Sequence, residues 1–275
     1  MGRVTKFLQT SRAMTMSYAK RDGVSFHYEQ EGSGDPPLLF LHGWCCDHTF
    51  FQPQVEHFKA SHAVTALDLR GCGDSDRPPV GYDIPALADD VGWLCSELDI
   101  AKPIIIGHSL GGMIAIEIAA RYPALPGGIV AVDPGPIDPL PEARAAFEAL
   151  VAQLEGPGWE AARRAYVEGL FLATDDADRG RRIVQKMCAV PRSVALAALR
   201  GVLEWTGVSA LGLCNVPLLV LLSRTGGSND PARLLALKPD IYIGVTVGAG
   251  HFHQLEVPEQ VTPMIERFLQ VTAHR

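Results

Sequence analysis

The sequence predicts an α/β domain: a mostly parallel, eight-stranded sheet flanked by helices, with an all-helical stretch inserted after the sixth strand. Three observations carry this. Short, continuous apolar runs alternate with helix-periodic segments, which is the rhythm of parallel strand–helix–strand units buried on both faces. The apolar run Ile104-Ile105-Ile106 breaks at Gly107-His108-Ser109-Leu110-Gly111-Gly112 straight into another helix-periodic segment. From Pro134 to Cys214 the strand-like runs stop and only helical pattern remains.

Taken in order, Met14–Lys20 and Val24–Gln30 are two alternating runs around Arg21-Asp22-Gly23, a hairpin signal. The breaker cluster Gly32–Pro37 precedes Leu38-Leu39-Phe40-Leu41, a strand apolar at every position, which runs into His42-Gly43-Trp44. Phe50–Phe58 reads as a helix and Ala63–Leu69 as another buried strand. A turn-rich loop follows, in which Asp68, Asp74 and Asp76 fit turn and cap roles. Asp83 with Pro85 marks the start of a helix running to Leu98. The central strand and its helix extend to Tyr122, ended by Pro123, and Ile129–Val132 is a sixth strand closing in Asp133-Pro134-Gly135. Helices are expected over Glu142–Leu154, Trp159–Leu172, Asp176–Met187 and Ser193–Trp205. Strands then return at Pro217–Leu222 and Ile241–Val247, and Pro258–Gln270 closes as a helix. This divides the chain into a core (14–133), a helical lid (134–214) and the rest of the core (215–275). A lid over the carboxyl ends of the strands would make a dry pocket.

The spacing Gly107-x-Ser109-x-Gly111 fits a nucleophile elbow, in which a serine sits on a strained turn between strand and helix and flanking Cβ atoms would clash. The first amides of the following helix then point at whatever Ser109 attacks. The Trp44 amide, past a loop glycine at a strand end, is a second oxyanion donor, and His42, Gly43, Trp44 and His108 are candidate substrate-binding residues. A serine hydroxyl needs a base held by a third group. Of the nine histidines, His251 is best placed, in the glycine-rich loop Gly248-Ala249-Gly250-His251 after the last strand, with His253 the weaker candidate.

With these three stretches, and Leu255-Glu256-x-Pro258-Glu259 behind the third, the chain resembles the α/β-hydrolase fold superfamily from about Tyr18 to Leu269. The resemblance implies Ser109 as nucleophile, His251 as general base and then acid, the amides of Trp44 and Leu110 as oxyanion hole, and the helical insertion as a cap domain. Most members carry the acid in a short loop after the strand that follows the cap, but Leu222-Ser223-Arg224-Thr225-Gly226-Gly227 holds no carboxylate. Asp133, at the end of the strand after the elbow, is the preferred acid, and Asp230 is the alternative. Either strand end reaches the histidine, since neighbouring strands lie about 4.8 Å apart. Apart from catalysis, Asp133 reads as a turn former and Asp230 as the N-cap of a helix beginning at Pro231.

Composition narrows the field further. A chain of 275 residues with 47% hydrophobic and 20% charged residues is an ordinary globular protein. A net charge of −7 without a Lys/Arg cluster argues against nucleic acid. The six cysteines have no metal-finger spacing, and no apolar run reaches the roughly 18 residues of a membrane span. Met1–Arg12 lacks a signal-peptide core, and Lys6 stands where N-myristoylation wants Ser or Thr. The expectation is a cytoplasmic enzyme with reduced thiols, no metal or organic cofactor and a small-molecule substrate, with homodimerisation open. The leading activity is hydrolysis of a small or medium, largely apolar carboxylic ester or lactone. A cofactor-free ring-cleaving dioxygenase is the alternative, since Gly43-Trp44-Cys45-Cys46-Asp47-His48 is similar to bacterial quinolone dioxygenases, which carry histidine where this chain has Cys46. Carbon–carbon bond hydrolysis, perhydrolysis and a slow-turnover ligand receptor share the fold.

Overall fold

A computed structural model describes residues 17–223 and 228–272. The first half of the chain lays down β1 (Ser17–Arg21), β2 (Val24–Glu31), β3 (Leu38–Leu41), α1 (Gln52–Phe58), β4 (Val64–Leu67), α2 (Ile84–Glu97), β5 (Ile104–His108), α3 (Leu110–Arg121) and β6 (Gly128–Val132). Helices α4 (Pro141–Glu155), α5 (Trp159–Glu168), α6 (Ala177–Ala189), α7 (Arg192–Glu204) and α8 (Gly207–Leu213) follow without an intervening strand. The chain ends with β7 (Leu218–Leu222), α9 (Pro231–Leu237), β8 (Tyr242–Val245), α10 (His253–Glu256) and α11 (Pro258–Thr272). The strands form one eight-stranded sheet in the order β1-β2-β4-β3-β5-β6-β7-β8. The β1–β2 hairpin and the β2–β4 pair are antiparallel, and every other pair is parallel.

The unbroken apolar runs follow from the two covered faces. Alternate residues of one strand enter different cores. Leu39, Leu41, Ile105 and Ile129 face the core built with α2 and α3, whereas Leu38, Phe40, Ile104 and Ile106 face the one built with α1 and α11. In the inserted helical stretch α4 packs on α5 and α7, α5 on α6, and α7 on α2, while α8 returns to lie against α3. Among the described residues no single helix is long and apolar enough to cross a membrane.

The boundaries differ from expectation where local chemistry intervenes. The helix expected over Phe50–Phe58 is a 3-10 turn at His48–Phe51 followed by α1, because Pro53 lacks an N–H and starts a new helix in its first turn. The helix expected to reach Leu172 stops at Glu168, with Gly169 as its C-cap. Helices α8 and α10 were not anticipated; both are short, at 7 and 4 residues, and carry little periodic signal. The readings of Met1–Arg12 and of Met14–Met16, and the Arg224–Gly227 part of the loop after β7, lie outside the described residues.

Candidate active site

Four stretches separated widely in sequence meet where β3, β5, β6 and the loop after β8 end. At the centre, β5 passes through Ser109, at φ 52° and ψ −113°, directly into α3. A non-glycine residue there is strained and must be held by its surroundings. Its neighbours show how tightly the turn closes. A Cβ on Gly107 would lie 2.1 Å from the Gly111 carbonyl oxygen, and one on Gly111 would lie 2.2 Å from that of Leu41. Both glycines are therefore steric requirements of the turn.

The next strand in sequence, β6, lies beside β5 in the sheet and is followed directly by Asp133, which is 2% exposed and also left-handed at φ 41°. His251 Nδ1 donates to Asp133 Oδ2 at 2.6 Å. Since a carboxylate only accepts, this contact puts a proton on Nδ1 and leaves Nε2 as the acceptor. Ser223, which opens the loop after β7, supplies donors to that carboxylate. The Ser223 amide bonds Asp133 Oδ1 at 3.0 Å and the Ser223 hydroxyl bonds Oδ2 at 3.1 Å. Burial raises the Asp133 pKa, but the hydrogen bond and charge of His251 outweigh it and hold the carboxyl at about 2. Asp230, by contrast, is exposed and caps α9, accepting from the amides of Ala232 (2.7 Å) and Arg233 (3.3 Å). Its place before Pro231 suits Asp230 to that helix cap.

Ser109, His251, Asp133, Trp44, Leu110 and His108 line one cavity of about 200 Å³. Among the described residues no hydrogen bond joins Ser109 Oγ to His251, a contact that in unliganded enzymes is often long and tightens with substrate. Leu110 opens α3, so its amide has no intrahelical acceptor, and among the described residues the Trp44 amide has no backbone partner. The Trp44 indole donates to the Ala195 carbonyl of α7 at 2.8 Å, fixing the ring. Phe147, Tyr166, Met187 and Leu199, from α4, α5, α6 and α7, complete the walls. None of these four stood out in the sequence, because their helices carry only ordinary amphipathic spacing.

The remaining candidates are used within the protein. His42 does not line the cavity: its Nδ1 donates to the Gly43 carbonyl (2.8 Å) and its Nε2 accepts from the Leu69 amide (3.0 Å), tying the ends of β3 and β4 together. Gly43 is likewise absent from the lining, and its carbonyl also takes the Cys46 amide at 3.2 Å. His108 does line it, yet its Nε2 donates to the His251 carbonyl at 3.0 Å and holds the loop that carries His251. Burial, and then the nearby His251, push the His108 pKa well below the ordinary range, keeping that ring neutral. His253 is buried against Thr246, with 2.8 Å between its Nδ1 and the Thr246 hydroxyl, and burial pulls its pKa down to about 4. Among the described residues His27, His48 and Asp68 are a group close enough to hold a metal. Their donors already serve one another, because Asp68 accepts from His27 Nδ1 (2.9 Å), His48 Nδ1 (2.9 Å) and the amides of His48 (2.7 Å) and Asp74 (3.0 Å).

A model of the alpha/beta hydrolase family matches residues 38–263. The 2-(acetamidomethylene)succinate hydrolase of Mesorhizobium japonicum is 30% identical over 260 residues, covering 90% of this chain and 92% of its own. The malate-bound structure of a thermophilic esterase from Thermogutta terrifontis superposes with a TM-score of 0.79 at 26% identity, over 94% of this chain and 97% of the other. Est816, an N-acyl homoserine lactone degrading enzyme, does so with a TM-score of 0.75 at 28% identity, over 92% and 100%.

Proposed function

This chain belongs to the alpha/beta hydrolase family, and on that premise we propose that it is a serine hydrolase cleaving a small or medium, largely apolar carboxylic ester or lactone through an acyl-enzyme. The observation that carries the reading is the 2.6 Å contact between His251 and a buried Asp133, in the same cavity as a serine held on a strained turn. In this reading Ser109 Oγ attacks the carbonyl carbon as its proton passes to His251 Nε2, while Asp133 holds the imidazole and stabilises its charge. The amides of Trp44 and Leu110 take the developing oxyanion, and each such donor is worth about 10²–10³ in turnover. The carbon–oxygen bond then breaks as Nε2–H protonates the departing alkoxide. Water, deprotonated by the same nitrogen, releases the acid and restores the serine. The helical insertion serves as the cap, excluding bulk water, and the walls of Phe147, Met187, Leu199 and Val202 favour an apolar acyl part.

The cavity, at about 200 Å³, is small for a ligand pocket and favours short acyl chains. The esterase and the lactone degrading enzyme support ester or lactone chemistry, while the 2-(acetamidomethylene)succinate hydrolase acts on another substrate, so the choice within the class rests on the walls. The test is hydrolysis of p-nitrophenyl butanoate together with labelling by a fluorophosphonate. The wild type should turn over and take the label at Ser109. Ser109→Ala should lose both, with turnover down by at least about 10³. Undiminished turnover in Ser109→Ala ends the acyl-enzyme account.

A further inference from the structure

We infer that the phenol of Tyr166 selects the substrate, so that the preferred ester or lactone is uncharged and carries a second oxygen able to accept a hydrogen bond. The inference rests on the hydrolytic reading of this cavity and narrows its substrate class. Tyr166 lies on α5 and lines the same cavity as Ser109 and His251, with its ring edge-on to Trp44 (centroids 5.8 Å apart, planes at 80°). Trp44 is itself pinned by its bond to Ala195, so the phenol is held by a fixed neighbour. A tyrosine hydroxyl inside a protein ordinarily finds a partner, and that of the buried Tyr82 does, donating to the Pro78 carbonyl at 2.7 Å. Among the described residues nothing hydrogen-bonds the hydroxyl of Tyr166.

An unpaired hydroxyl beside the apolar walls of Phe147, Met187, Leu199 and Val202 is a specificity device. A ligand that meets it gains a hydrogen bond, and one that covers it with hydrocarbon leaves it desolvated and unpaired. Burial pushes the Tyr166 hydroxyl up to about 12, so it stays a neutral donor throughout the physiological range. Among the described residues no lysine or arginine lines the cavity, while the Asp133 carboxylate does, so a substrate carboxylate would find a like charge and no counter-charge. A ketone, amide or ether oxygen satisfies the phenol without that penalty.

Three ethyl esters of nearly equal shape separate the cases: the pentanoate, the 4-oxopentanoate and the monoanionic hydrogen succinate. Calorimetric titration of Ser109→Ala, in which turnover plays no part, should find the 4-oxopentanoate bound about fivefold more tightly than the pentanoate, and the succinate most weakly. Adding Tyr166→Phe should abolish that preference. The same substitution in the active enzyme should lower the ratio of kcat/KM for p-nitrophenyl 4-oxopentanoate over the pentanoate by a similar factor. A preference that survives Tyr166→Phe, no preference at all, or tightest binding of the succinate overturns the inference. A wild type that hydrolyses none of these esters while the binding preference stands ends the hydrolytic reading alone.

Discussion

Ser109 and Asp133 both sit in left-handed backbone conformations at the ends of adjacent parallel strands, and the site depends on that placement. Asp133→Asn keeps the shape but offers His251 Nδ1 an amide in place of a carboxylate. Turnover of an ester should fall by about 10³–10⁴, as expected when the imidazole loses its orienting charge. Asp230→Asn should leave turnover within twofold, because asparagine caps a helix as well as aspartate does. Equal losses at both positions would contradict the assignment of the acid. The elbow glycines offer a second measurement. Gly111→Ala forces a Cβ to 2.2 Å from the Leu41 carbonyl, and because the intruding neighbour is backbone it cannot rotate away. The variant should lose ester turnover and melt several degrees lower than the wild type, and unchanged melting with full activity would show that the turn closes differently.

Between elements, one set of contacts couples the inserted helical stretch to the loop that carries His251. The His251 amide donates to the Leu170 carbonyl at 3.0 Å, and Phe171 stacks on Phe252 at 5.2 Å. Beside them the buried Glu256 of α10 accepts from the Asp176 amide (3.1 Å) and pairs with Arg179 of α6 (2.7 Å). Burial raises the Glu256 carboxyl above its ordinary range. Removing the carboxylate strands Arg179, whose side chain keeps 31% of its exposure, so the cost is moderated by solvent. Glu256→Ala should lower stability by about 1–3 kcal/mol, or roughly 3–8 °C in Tm, with a smaller loss for Glu256→Gln. If Tm is unmoved by Glu256→Ala, the pair contributes nothing to holding α6 on the core.

For the whole molecule, the buried neutral histidines set the response to acid. The native His253 imidazole takes its proton only near pH 4, whereas in the unfolded chain it does so near the ordinary 6.5. Its folded pKa is depressed, so its share of stability is fully present above pH 6.5 and is lost as the pH falls to 4, about 3 kcal/mol in all. His42 and His108, lowered chiefly by burial, act in the same direction. The Asp133 carboxyl, at about 2, adds loss only at still lower pH. Tm should therefore drop between pH 7 and 4.5, and His253→Gln should flatten that drop. An identical slope in the variant would place the acid sensitivity elsewhere.

The order and type of the sheet elements were legible in the sequence because strands buried on both faces are apolar at every position, and because the elbow needs glycine at two fixed offsets. Ser109, His251 and Asp133 could be named for the same reason: each follows a readable strand end, and parallel strands end on one side. The choice between Asp133 and Asp230 was not legible, since an aspartate before proline has the same local signature as a turn former or a helix cap. What separates them is tertiary: Nδ1 of His251 lies 2.6 Å from Asp133, whereas Asp230 is exposed. His42 and Tyr166 make the same point in opposite directions. A conspicuous histidine beside the site turns its nitrogens to the backbone, and an inconspicuous tyrosine on an amphipathic helix lines the cavity with no hydrogen bond to its hydroxyl among the described residues. Strand ends are set by local pattern, whereas partners across 100 or more residues are set by packing, which no short window of sequence contains.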